Sequence, residues 1–198
     1  MREGIVIKKK IDRRDFVGIA GIGILAMENM FAGLGQSLIT PEIYIHANRL
    51  LGLWYFDPVG LYVKPGQTVH WTSATWGTSV TSYHPDNDNR ELRIPESAQP
   101  FDSGLLDDDA NTFEWTFDIP GTYDYFSRNH ESIGAVGRIV VGKPGGPAEK
   151  PLGYGGREGR APIYSRVREV FELVTSKAVM ERETFVYPTE RFQRRYPY

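Results

Sequence analysis

The stretch from Tyr123 to Val141 constrains this chain more than any other. An aromatic run, Tyr123, Tyr125 and Phe126, passes into a polar turn between Ser127 and Gly134, and a β-branched run ending at Val141 leaves it. Such runs on either side of a short glycine-closed turn read as strand, tight loop, strand. The loop carries Ser127 and His130, three residues apart, between two segments built for a sheet interior.

From Ile43 to Val141 the whole pattern is β-like. Leu53–Phe56, Leu61–Val63, Thr68–Trp71, Ser79–Tyr83, Phe113–Phe117, Thr122–Phe126 and Arg138–Val141 have strand character, and Asp57-Pro58, Pro65-Gly66, Pro120-Gly121 and Gly134 punctuate them. Phe113, Trp115 and Phe117 alternate with Glu114 and Thr116, which predicts one buried and one wet face. Several short strands at this spacing predict an all-β, two-sheet sandwich over residues 43–142. Residues 85–109 form a polar excursion longer than a connection needs. The 198 residues can bury a core without covalent staples, and with no cysteine the chain has neither disulfides nor thiolate chemistry. A net charge of −2 gives no reason to expect a nucleic-acid partner.

The two ends read differently. Residues 1–35 combine Lys8, Lys9, Lys10, Arg13 and Arg14 with a glycine-rich apolar run from Phe16 to Met27. Asp12-Arg13-Arg14-Asp15-Phe16-Val17 resembles a twin-arginine export motif, with Asp12 in place of the hydroxyl residue. Small residues suited to cleavage are hard to place, so a cleaved signal and a retained anchor helix are both open. Residues 143–162 read as a Gly/Pro-rich linker. In residues 163–198, one amphipathic helix is predicted over 165–183, its stripe being Val167, Val170, Phe171, Val174 and Ala178. The extended tail brings Phe185, Tyr187, Phe192 and Tyr196 together with Arg194 and Arg195, an interface composition. Packing back on the chain's own sandwich is the other reading.

The loop Tyr123-x-x-x-Ser127-x-x-His130-x-x-x-Gly134-Ala135-x-Gly137 resembles the ligand loop of the cupredoxins, the blue-copper proteins of the plastocyanin and halocyanin kind. Phe56-x-Pro58-x-x-Leu61-x-Val63-x-Pro65-Gly66-x-Thr68-Val69-x-Trp71 and Tyr83-His84-Pro85-Asp86-Asn87 extend the likeness over roughly half the chain. The resemblance implies a cupredoxin-like Greek-key sandwich. It also implies that the copper ligands would fall at Thr78, Ser127, His130 and Ala135, where the family has His, Cys, His and Met. One imidazole survives. A blue-copper site needs a thiolate and two imidazoles, so no copper or other cofactor is expected here.

The other histidines are weaker candidates. His70 alternates with Val69 and Trp71 and is expected on a wet strand face; His46 has no evident partner; His84 precedes an Asp/Asn-rich turn better read as capping itself than as binding an ion. No catalytic constellation stands out, so a non-enzyme is expected. The resulting expectation is an exported, membrane-held protein with a degenerate copper site, serving as an accessory subunit of a membrane-associated, electron-transfer-related complex. Its partners would be protein subunits, and the membrane if the N-terminal helix is retained. The resemblance implies that Ile133, Ala135 and Val136 form the docking rim, because in the family the apolar rim around the exposed histidine meets the partner. The alternative is a copper-binding electron carrier with an atypical site.

Overall fold

A computed structural model describes residues 40–50, 52–107, 111–156 and 160–188. The expected export segment and the tail residues Phe192, Arg194, Arg195 and Tyr196 lie outside these.

Among the described residues nine strands form two sheets. β1 (Glu42–Asn48), β2 (Leu53–Asp57), β4 (Gln67–Ser73) and β6 (Thr112–Phe117) make the first, in the order β2-β1-β4-β6. β3 (Gly60–Val63), β5 (Thr81–Ser82), β7 (Gly121–Phe126), β8 (Val136–Val141) and β9 (Thr184–Phe185) make the second, in the order β5-β7-β8-β3-β9. Two pairings are parallel, β1 with β4 and β3 with β8, so the chain crosses between sheets and does not simply meander. Val69 and Trp71 point inward from β4 and meet Phe117 from β6, Phe56 from β2 and Tyr125 from β7. Trp71 is fully buried with its ring edge-on to Tyr125, centroids 5.7 Å apart. Large aromatics filling the space between two sheets supply most of the apolar burial that drives such a fold.

The expected polar excursion is described from Pro85 to Asp107, and it contributes to the core. Ile94, Ala98, Phe101 and Leu106 are buried, and Phe101 packs on Trp71 and Phe117. Asn87 ties the segment down, its Nδ2 donating to the Ser82 and Phe101 carbonyls at 2.9 and 3.2 Å. The apolar residues are too widely spaced to form a strand pattern, yet each one plugs the mouth between the sheets.

At the C-terminus there are two helices where one was predicted: α1 (Ser165–Leu173) and α2 (Ser176–Arg182). Thr175 causes the break, because its hydroxyl caps α2 by accepting the Ala178 N–H at 3.2 Å. Val167, Val170, Phe171, Val174 and Val179 form a second core against Val136 and Val140 of β8 and Val59. The segment after Val141 also packs down, with Ala148 only 2% exposed. This arm explains why β7 and β8 are buried along their whole length.

Gly60 makes room for it. A Cβ there would lie 2.7 Å from a methyl of Val174 and 2.7 Å from one of Val179. Gly60→Ala is therefore expected to destabilise the protein by about 2 kcal/mol through overpacking, read as a lower midpoint in urea unfolding.

Candidate functional site

The loop between β7 and β8 is fixed by its own backbone. The Ser127 N–H donates to the Ala135 carbonyl at 2.9 Å, and the Ala135 N–H donates to the His130 carbonyl at 3.1 Å. A 3-10 turn over Glu131–Ile133 ends at Gly134, whose φ of 94° favours glycine. Three of the four expected ligand positions are thereby gathered at one end of the sandwich. Ser127 is fully buried, and its Oγ accepts the Ser79 N–H at 3.1 Å and lies 3.4 Å from His130 Nδ1. The fourth position, Thr78, adjoins Ser79 and is also fully buried, its Oγ1 2.8 Å from the Ser73 hydroxyl. His130 stacks flat on Trp54, centroids 4.8 Å apart and planes within 8°.

No family model matches the chain. A chloroplast plastocyanin of rice is 23% identical over 141 residues, which is 71% of this chain and 84% of that protein. A halocyanin of Natronomonas pharaonis is 31% identical over 86 residues, 43% of this chain, and the match spans 47% of the halocyanin. Among solved structures, a pseudoazurin from Sinorhizobium aligns with a TM-score of 0.51 at 20% identity, covering 72% of this chain and 96% of that one. The chain is a cupredoxin-fold protein.

On the cupredoxin frame, the donor set at the loop does not fit a type 1 copper ion. Serine and threonine hydroxyls do not ionise near neutral pH, alanine offers no donor, and the soft thiolate that selects copper is missing. Among the described residues no three His, Cys, Asp or Glu side chains come together as a metal group. The hydroxyls at these positions are instead used structurally, Ser127 Oγ accepting the Ser79 N–H and Thr78 Oγ1 meeting the Ser73 hydroxyl, and their neighbours continue the network. Ser79 Oγ accepts the Arg128 N–H at 2.9 Å and meets Thr81 Oγ1 at 2.9 Å, which in turn donates to Asp102.

The expected docking rim is corrected by burial. Val136 is fully buried and Ile133 half-buried, because α1 lies over the loop with Arg166 packed on Gly134, whereas Ala135 is fully buried in the core between the sheets. Phe185 and Tyr187 are also buried, Phe185 in the strand β9 and Tyr187 stacked on Tyr55 at 4.4 Å. Both thus pack on the chain's own sandwich. Trp76 and Leu105 are large apolar side chains that do reach solvent near this end, at 66% and 58% exposure. Gly77, beside Trp76, donates its N–H to the Leu106 carbonyl, and Asn129 of the ligand loop donates to the Gly77 carbonyl. The three histidines outside the loop do not join it. His70 pairs with Glu42 on the exposed face of β4, His46 meets the Tyr55 ring at a tilt, and His84 Nδ1 accepts the Asp86 N–H within its own turn.

Burial holds the His130 imidazole below its ordinary pKa. The folded protein therefore takes up a proton on His130 less readily than the unfolded chain. Stability from this site is complete above the ordinary histidine value and is lost as pH falls through it toward the depressed one. His130→Phe keeps a flat ring against Trp54 and removes the titration. Wild type is expected to lose more urea resistance than the variant between about pH 7.5 and about pH 5.

Sequence reasoning missed one charged cluster altogether. Asp124 on β7 is fully buried and accepts Arg93 Nε at 2.8 Å and Arg138 Nε at 2.7 Å. Asp124 and Arg138 face each other across the β7–β8 ladder, a cross-strand opposite-charge pair that resembles an ordinary wet sheet face. Only the arm that covers that face makes it a core feature.

Proposed function

We propose that this protein is an exported cupredoxin-fold subunit that has given up type 1 copper and serves, without catalysis, as a structural or accessory component of a membrane-associated complex. The observation that carries the reading is the buried hydroxyl at Ser127. It accepts a backbone N–H and faces the surviving imidazole at the position the family gives to its thiolate. A frame kept intact while its ligands become hydrogen-bonding side chains is a frame retained for shape. Trp76 and Leu105, exposed beside the loop, support docking to another protein subunit, because rigidly held aromatic and aliphatic side chains are the anchors of protein interfaces. The basic, glycine-rich N-terminal segment supports export by the twin-arginine route to the outer face of a membrane and tethering there. The tether in this reading is the same segment, residues 1–35; among the described residues no helix is long and apolar enough to cross a membrane.

The test is metal analysis and an optical spectrum on protein isolated from its native membrane, with co-purifying chains identified by mass. Colourless, copper-free protein arriving with stoichiometric partners is the expected result. Stoichiometric copper in the isolated protein would overturn the proposal in favour of an atypical electron carrier, and a free soluble monomer would overturn the subunit role.

A further inference from the structure

The face of the second sheet covered by the arm also holds a cleft that the cupredoxin loop does not use. α1, α2 and the segment around Pro147–Glu149 border an open cavity of about 440 Å³. Arg93, Arg138, Lys150, Arg168 and Lys177 line it, against the carboxylates of Glu149 and Glu172. Glu149 Oε1 accepts the hydroxyls of Thr122 and Ser176, and its charge still acts on Arg138. Glu172 is exposed at the rim.

Arg138 is the informative residue. Its side chain is only 7% exposed, and one edge of the guanidinium is fixed: Nε and Nη2 donate to Asp124 at 2.7 and 2.9 Å, and Nη2 also reaches the Ala148 carbonyl at 3.3 Å. Phe171 lies against the flat of the group, 5.2 Å from its carbon to the ring centroid. The remaining nitrogen, Nη1, has no hydrogen bond among the described residues, and the side chain forms part of the cleft wall. Arg93 differs, since Nε, Nη1 and Nη2 are all spent on Asp124, the Lys150 carbonyl and the Ala148 carbonyl. A buried guanidinium immobilised on one edge with free donors on the other is pre-organised for an oxyanion, because little side-chain entropy remains to be lost on binding.

We propose that this cleft binds a small organic anion through a phosphate or carboxylate group. Arg138 Nη1 is the fixed donor, and Lys150, Arg168 and Lys177 supply the surrounding positive field. The cavity is in the size range of small-molecule sites and exceeds what a bare phosphate fills. Pro151, Leu152 and Phe171 in its wall provide apolar surface for the organic part of the ligand. The site is independent of the loop at Ser127 and of the fate of copper.

Calorimetric titration of the full chain with pyrophosphate and with citrate tests it. Saturable one-site binding of at least one of these is expected, and the tighter of the two assigns the recognised group. The double variant Arg168→Glu/Lys177→Glu, which changes only the rim, is expected to weaken binding about tenfold or more. Lys64→Glu, an exposed charge reversal outside the cleft, is expected to leave it unchanged. Absence of saturable binding for both anions overturns the proposal. So does equal weakening by Lys64→Glu, which would reveal diffuse surface attraction, or full binding retained in the double variant.

Discussion

Thr78→His, Ser127→Cys and Ala135→Met together are expected to turn this frame into a blue-copper protein. The geometry for it is already present. A cysteine at 127 would receive the Ser79 N–H that now goes to the serine oxygen, a hydrogen bond suited to a metal-bound thiolate. Its sulfur would face His130 Nδ1, which lies 3.4 Å from the present hydroxyl. His130 is held by stacking on Trp54, so one imidazole ligand needs no rearrangement. Thr78 is joined through its neighbour Ser79 to the same loop, and its side chain meets the Ser73 hydroxyl in a small polar space. Copper titration followed by visible absorption and EPR is the measurement. Wild type should show no thiolate band at any copper concentration, and the triple variant an intense one saturating at one copper per chain. Ser127→Cys alone leaves one imidazole and one thiolate, and should not hold copper against a chelator. A triple variant that loads copper yet stays colourless would mean that the ligand positions no longer converge.

The second large effect concerns stability. Asp124→Asn is expected to cost about 3–5 kcal/mol, because it leaves two buried guanidinium groups without their shared counter-charge. Asp124 accepts both Arg93 and Arg138, whose side chains are only 2% and 7% exposed, so water replaces little of the lost counter-charge. Glu91→Gln provides the comparison. Glu91 meets Arg93 Nη1 only at 3.5 Å, and its main work is accepting the Gly153 and Gly155 N–H groups at 3.0 and 2.7 Å. A glutamine oxygen can still accept one of these, so a loss of about 1 kcal/mol is expected. Urea unfolding of the two variants side by side reads the difference. Equal losses would show that Asp124 acts as a hydrogen-bond acceptor and not as a charge.

Much of the fold was legible because strand-forming residues announce themselves locally. The alternation of Phe113, Trp115 and Phe117 gave a strand with one buried face, and the Tyr123–Val141 stretch gave β7, its loop and β8. β1 was passed over because Glu42, Tyr44 and His46 interrupt its apolar residues, and Ile43 and Ile45 are too few to stand out. β9 was illegible for a different reason. Two residues carry no pattern, and Thr184–Phe185 is a strand only because the outer edge of β3 is there to pair with it. The single predicted helix broke at Thr175, where a cap hydrogen bond outweighed a continuous apolar stripe.

The candidate site divides in the same way. The identity of its donors is a property of the residues: hydroxyls at 78 and 127, a methyl at 135 and an imidazole at 130 fix what the loop can coordinate before it folds. Which side chains face solvent is not. Val136 lost its expected exposure because α1, some thirty residues later, lies over it, and Ala135 because it sits in the core between the sheets. The same arm converts Asp124 and Arg138 from a surface ion pair into a buried one and creates the cationic cleft beside it. Periodicity and residue chemistry are local, so the sequence alone determined the sandwich strands and the ligand inventory. Burial depends on which distant segment covers a face, so only the tertiary structure decided where the charges are dry, where the apolar groups are wet, and where a ligand has room to bind.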